Sequence, residues 1–149
     1  MSLFRKWEPP KVAVCFASPA MTRRAVDWLG KLGGCKPIAI LFSDDCDDVV
    51  WQCDAEQADL LLLGTDFSNG VEDKDVSARC DIAVEVRRKL PDCRVYLVCE
   101  DGHPEKLAAL EKAVELKLID GYCIGGLTAR QAEIWLAETA RAMNERTEP

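Results

Sequence analysis

The chain has 149 residues, 48% of them apolar and 30% charged, with a net charge of −7; this suits one globular domain that buries a core without metals or disulfides. The acidic balance speaks against a nucleic-acid surface, which needs clustered Lys and Arg, and no apolar run approaches the length of a membrane span. The start, Met1-Ser2-Leu3-Phe4-Arg5-Lys6-Trp7, is too short and too charged for a signal peptide, so cytoplasm is the expected compartment.

Residues 1–10 read as a mobile lead-in ending in Pro9-Pro10. From there a short apolar run, a turn and an amphipathic helix recur five times, predicting one domain over 11–145 and a frayed tail over 146–149. The first run, Lys11 to Ala17, is apolar almost throughout, as a strand covered on both faces should be. Ser18-Pro19 then starts a helix, with Ser as N-cap and Pro at the first helical position. Met21, Ala25, Trp28, Leu29 and Leu32 recur at helical spacing, and Gly33-Gly34 stops the helix.

The second run is Pro37 to Phe42, followed by Asp44-Asp45-Cys46-Asp47-Asp48. Val49, Val50 and Cys53 predict a short helix capped by one of those aspartates. The third run, Asp59 to Gly64, is the most hydrophobic and reads as the central strand. A polar loop from Thr65 to Lys74 leads to a helix over roughly 75–90, with Ile82, Ala83, Val86 and Leu90 inward. The fourth run is Arg94 to Cys99; the helix after it carries Leu107, Leu110, Val114 and Leu118 on one face. The fifth, Gly121 to Ile124, ends at Gly125-Gly126, and Thr128-Ala129-Arg130-Gln131 is a capping box. It opens a last helix with Ala132, Trp135, Leu136, Thr139 and Met143 inward.

Strict strand–helix alternation implies parallel pairing and right-handed crossovers. The expected fold is therefore α/β: a three-layer αβα sandwich around a five-stranded parallel sheet of order 2-1-3-4-5, the flavodoxin-like arrangement. The eight cysteines, at 15, 35, 46, 53, 80, 93, 99 and 123, form no Cys-x-x-Cys pair. They read as free, mostly buried thiols.

Ligands of such sheets bind beyond the carboxyl ends of the strands. The candidate positions there are Phe16, Ala17 and Ser18; Gly64, Thr65 and Asp66; Cys99 and Glu100; and Gly125, Gly126 and Thr128. The lone His103 sits in the turn-like Asp101-Gly102-His103-Pro104 and reads as a solvent-exposed residue. Gly125-Gly126-Leu127-Thr128 reads as a strand-to-helix turn rather than an anion site, and the acidic loop as a solvated helix cap rather than a cation site. No nucleophile triad, dinucleotide fingerprint or phosphate loop is evident, so no catalytic residue, metal or cofactor is expected.

Five βα units closing on Ile119-Asp120-Gly121-Tyr122-Cys123-Ile124, with Ala58-Asp59-Leu60-Leu61-Leu62-Leu63 before the third strand end and Val14-Cys15-Phe16-Ala17-Ser18-Pro19 at the first, resemble the receiver domain of bacterial response regulators. The resemblance implies a phosphorylation site built from two acids ending strand 1, an aspartate ending strand 3, a Ser or Thr ending strand 4 and a Lys ending strand 5. Carboxylates hold magnesium, and the cation and Lys neutralise the phosphoryl oxygens. This chain departs at every position. Phe16 and Ala17 stand for the acid pair, Gly64 for the acceptor, Cys99 for the hydroxyl residue and Gly125-Gly126 for the Lys-Pro pair. Asp66, two residues beyond Gly64, is the acid to be offered as acceptor.

The chain thus resembles a pseudo-receiver, a non-phosphorylatable receiver-like domain acting as a protein-interaction or dimerisation module in bacterial signal transduction or assembly. The resemblance places the partner surface, for a protein or a second copy, over about 104–143. Its charged side chains there would include Glu105, Lys106, Glu111, Lys112, Glu115, Lys117, Arg130, Glu133, Glu138 and Arg141. Two other readings compete. One is a flavodoxin-like binder of a flavin or nucleotide, although the turn after strand 1 offers only Ser18 and Thr22 as hydroxyls. The other is thiol chemistry at Cys99 or Cys15, although neither has a Lys or Arg beside it in sequence. The ending Thr147-Glu148-Pro149 reads as the start of a linker.

Overall fold

A computed structural model describes residues 8–43, 45–65, 72–100 and 104–147. Five strands alternate with five helices: β1 (Lys11–Cys15), α1 (Pro19–Leu32), β2 (Lys36–Ala39), α2 (Cys46–Glu56), β3 (Leu60–Gly64), α3 (Glu72–Lys89), β4 (Arg94–Cys99), α4 (Pro104–Glu115), β5 (Gly121–Ile124) and α5 (Ala129–Thr147). The strands form one parallel sheet in the order β2-β1-β3-β4-β5, the topology expected from the alternation. No helix among the described residues is long and apolar enough to cross a membrane.

The leucine run is central because both of its faces are needed. Leu60 and Leu62 join Val12, Val14, Phe16, Tyr96 and Val98 under α1 and α5. Leu61 and Leu63 join Ala13, Cys15, Val95, Leu97 and Cys99 under α2, α3 and α4. Alternate residues of each strand thus supply two cores, as the period of two requires. On the α5 side Trp135 stacks on Tyr96, with ring centroids 4.3 Å apart. Two aspartates at strand starts fix the register. Asp59 Oδ2 accepts from the Lys11 amide at 2.9 Å, and Asp120 Oδ2 accepts from the Val95 amide at 2.8 Å.

The helix ends follow their local chemistry. Ser18 Oγ accepts from the Met21 amide at 3.3 Å, with Pro19 as the first helical residue. Gly33 closes α1 at φ 82, a conformation that costs a residue with a Cβ, and its amide donates to the Leu29 carbonyl. Asp45 is the aspartate that caps α2, accepting from the Asp47 amide at 3.0 Å. Thr128 Oγ1 accepts from the Gln131 amide at 3.2 Å at the head of α5.

Several details differ from the sequence expectation. β1 and β2 are shorter than predicted, although the Ile40 amide still donates to the Val14 carbonyl. α3 runs Glu72–Lys89 and so begins earlier than the expected helix over roughly 75–90. In α1 the inward position is Thr22 rather than Met21, which is exposed. The Thr22 hydroxyl accepts from the Phe16 amide at 3.1 Å, and that bond draws it under the sheet end. α4 is turned by about one position, burying Lys106, Leu110 and Ala113 while Leu107 and Val114 face outward. Leu118 lies beyond the helix and packs partly against the core.

Candidate functional site at the carboxyl ends of the strands

The parallel sheet brings Phe16, Ala17 and Ser18, Gly64 and Thr65, Cys99 and Glu100, and Gly125 and Gly126 to one edge, as the topology requires. Asp66, His103 and Asp44 lie outside the described residues, as do residues 1–7. Phe16 is buried, and its amide is tied to Thr22. Its ring lies over Gly64 so closely that a Cβ added at 64 would collide with Phe16 Cδ1. The space into which a side chain at 64 would grow is therefore filled by an aromatic ring. Thr65 is fully buried; its amide donates to the Val98 carbonyl at 3.0 Å, and its hydroxyl lies 3.5 Å from that carbonyl.

At the β5 end the Gly126 amide donates to the Cys99 carbonyl at 3.1 Å, which carries the pairing of β4 and β5 one step past the strand. The Glu100 carboxylate lies against Gly126, where a Cβ would come within 3.0 Å of Oε2. Thr128 is exposed and works as a helix cap. Among positions 16–18, 64–65, 99–100 and 125–128, Glu100 is the sole carboxylate. Among the described residues, no group of three or more His, Cys, Asp or Glu converges as a metal site would require.

Two buried cations belong to this end of the molecule, and the sequence reading missed both. Arg79 of α3 is only 1% exposed; its Nε donates to the Gly64 carbonyl, and its guanidinium lies 4.2 Å from the centre of the Phe42 ring. Lys106, in the first turn of α4, is 3% exposed, which corrects its expected place on the outer surface. A buried cation persists only where acceptors or aromatic faces replace water. The available signal was positional. Arg79 falls on the line 76-79-83-86 that faces the sheet, and Lys106 on the line 106-110-113.

Burial holds several of the thiols in their protonated form. Burial pushes the Cys15 thiol up to about 12, with the Arg79 guanidinium pulling the other way. Burial likewise raises Cys53 and Cys123 to about 12 and Cys80 to about 11, and raises Cys93 as well. A thiol held this far above neutral pH is protonated and a poor nucleophile. Beside Phe16 a small cavity of about 70 Å³ is lined by Pro19, Thr22, Arg23, Ile40, Leu41 and Phe42, among others. It is well below the roughly 300 Å³ at which small-molecule sites begin.

No family model matches the chain, and no curated protein matches it in sequence. Solved structures do match in three dimensions. A response regulator receiver domain protein from Clostridium thermocellum superposes with a TM-score of 0.65 at 15% identity, covering 92% of this chain and 96% of that one. A DNA-binding response regulator of the LuxR family from Staphylococcus aureus gives 0.58 at 15% identity, covering 93% and 99%. A Burkholderia pseudomallei protein described as pilus assembly-related gives 0.65 at 14% identity, covering 89% and 90%. The chain has the receiver fold. At these identities the likeness speaks for the architecture, which the five parallel strands in the order 2-1-3-4-5 already express.

Proposed function

We propose that this receiver-like domain does not accept a phosphoryl group and acts as a protein-interaction module in bacterial signalling or assembly. The observation that carries the reading is the Phe16 ring against Gly64. In the receivers that the sequence resembles, the end of strand 3 presents an aspartate to a cation held by acids from strand 1. Here the residue from the end of β1 is an aromatic ring, and the residue at the end of β3 has no side chain. The Gly64 carbonyl is engaged from below by Arg79, so the local positive charge comes from within the protein. Magnesium and phosphoryl oxygens would meet an apolar ring at Phe16 where a pair of carboxylates would have to hold the cation, which removes their principal stabilisation.

The interaction surface is the β5 edge of the sheet with α4 and α5. Leu107 and Val114 of α4, Leu116 after it and Ile134 of α5 are all exposed, although α4 and α5 have inward faces of their own. Exposed apolar residues on the two helices that lead into and out of the edge strand β5 favour a partner, whether another protein or a second copy. One structural neighbour is described as pilus assembly-related, which supports the assembly side of this reading.

The test has two arms. Intact-mass measurement after incubation with magnesium and acetyl phosphate should give an unchanged mass; a stoichiometric phosphoryl adduct would overturn the first half of the proposal. Light scattering across a concentration series should report a dimer that L107E and I134E dissociate, or, for a monomeric chain, a partner whose binding these changes abolish. A monomer whose partner binds equally well with both substitutions would overturn the second half.

A further inference from the structure

Charge is unevenly distributed along the chain. Residues 37–73 hold ten of the 26 carboxylates and none of the 19 Lys and Arg, so the remainder of the chain carries a formal charge of +3. This acidic segment includes α2 and the strand before it, on the edge of the sheet opposite β5. In its midst Trp51 is 71% exposed. On a helix its surface neighbours are residues three and four away, here Asp47, Asp48, Asp54 and Ala55. The inward residues of α2, Val49 and Cys53, are fully buried, so the helix is firmly seated and presents its indole to solvent without need of it for folding.

A second exposed apolar side chain sits on a turn that is bonded to the same helix. Leu41, also 71% exposed, has both its backbone groups bonded to one side chain of α2. The Leu41 amide donates to Gln52 Oε1 at 2.8 Å, and Gln52 Nε2 donates to the Leu41 carbonyl at 2.9 Å. Gln52 is the residue after Trp51, so the turn at 41 is fixed to the helix at the level of the indole. A large aromatic and a leucine, rigidly placed and ringed by carboxylates, have the composition of an anchor site for a cationic partner.

We propose that α2 and the turn at Leu41 form a docking face for a basic, leucine-bearing segment of a partner protein. Lys or Arg side chains of that segment stack on the Trp51 indole and pair with Asp47, Asp48 and Asp54, while an aliphatic side chain covers Leu41 and the indole edge. Charge selects this occupant. Two copies of the face would repel each other, and anionic lipid or nucleic acid would be repelled as well. The face is separate from the β5 edge, so it stands or falls independently of the interaction surface described above.

The experiment is amide NMR titration of the full chain with two short synthetic peptides of equal positive charge, one alternating Arg and Leu, the other Arg and Gly. The Arg-Leu peptide should shift resonances at 41 and over 46–56, and bind about tenfold or more tighter than the Arg-Gly peptide. W51A should weaken it by about tenfold or more, and D47N/D48N should weaken it and flatten its salt dependence. E111Q/E115Q on α4 should leave the affinity within about twofold. Trp51 is exposed, so thermal melts of W51A should match the parent and exclude misfolding as the cause. Absence of binding, shifts scattered over the surface, equal binding of both peptides, or W51A binding as tightly as the parent would each overturn the proposal. So would concentration-dependent self-association centred on Trp51, which would make the occupant a second copy.

Discussion

Adding one methyl group at Gly64 tests the packing that fills the strand ends. The backbone there is ordinary extended strand, with no left-handed angle to relieve. Gly→Ala in such a position would by itself stabilise by roughly 0.5–1 kcal/mol, because Gly loses more freedom on folding. The collision with the Phe16 ring opposes this, and overpacking a tight core costs about 1–3 kcal/mol. Phe16 is buried and tied through its amide to Thr22, and Gly64 is held through its carbonyl by Arg79, so neither side yields easily. The expected net for G64A is a loss of about 1–2 kcal/mol. F16A alone should cost about 3–5 kcal/mol, within reach of a domain whose total is on the order of 5–15. In the F16A background the collision is gone, and G64A should be neutral or stabilising by up to about 1 kcal/mol. The double-mutant cycle therefore predicts a coupling of about 1–3 kcal/mol, read from urea unfolding midpoints of the four proteins at matched slopes. Additive effects, with G64A equally costly in both backgrounds, would refute the claim that Phe16 occupies the space at Gly64.

T22V should cost about 1–3 kcal/mol despite its similar shape, because the buried Phe16 amide loses its acceptor; equal unfolding midpoints for T22V and the parent would refute this. D120A should cost about 1–2 kcal/mol by removing the acceptor of the Val95 amide, and hydrogen exchange at Val95 should accelerate; unchanged protection there would count against the bond. The cysteines predict an alkaline limit. Cys15, Cys53 and Cys123 hold their protons to about 12 when folded, against an ordinary value of 9.0. Their contribution is whole below pH 9.0 and is lost as pH rises from there toward about 12, since the unfolded chain releases those protons first. Urea midpoints should fall steadily over that window, and a C15A/C53A/C123A protein should show a shallower fall. Thiol labelling at neutral pH should reach the partly exposed Cys35 and Cys46 before Cys15, Cys53 and Cys93; the reverse order would contradict the burial.

Much of the architecture lies in local sequence, because local chemistry decides it. Ser18-Pro19, Gly33, an aspartate before Val49 and Thr128 each name a helix end, since they satisfy or release backbone groups within a few residues of themselves. Runs such as Leu60–Gly64 announce strands buried on both faces, and strict alternation then leaves few topologies. The edge where a site would lie follows from that topology alone. The rotation of each helix does not, because it depends on what the neighbouring elements offer. Leu107 and Val114 are apolar like Leu110, yet α4 turns Lys106 and Ala113 inward and leaves those two aliphatic side chains outside. Nor does sequence spacing bring Phe16 over Gly64, or carry Arg79 back from α3 to the Gly64 carbonyl and the Phe42 ring. Those contacts join residues far apart in the chain, and their existence depends on the stagger of adjacent strands and the seating of α3. The sequence by itself determined the order of the strands, because strict strand–helix alternation leaves few ways to pair them. Only the tertiary structure decided that the Phe16 ring packs over Gly64 and which apolar side chains stay exposed, because both depend on how distant elements seat against one another.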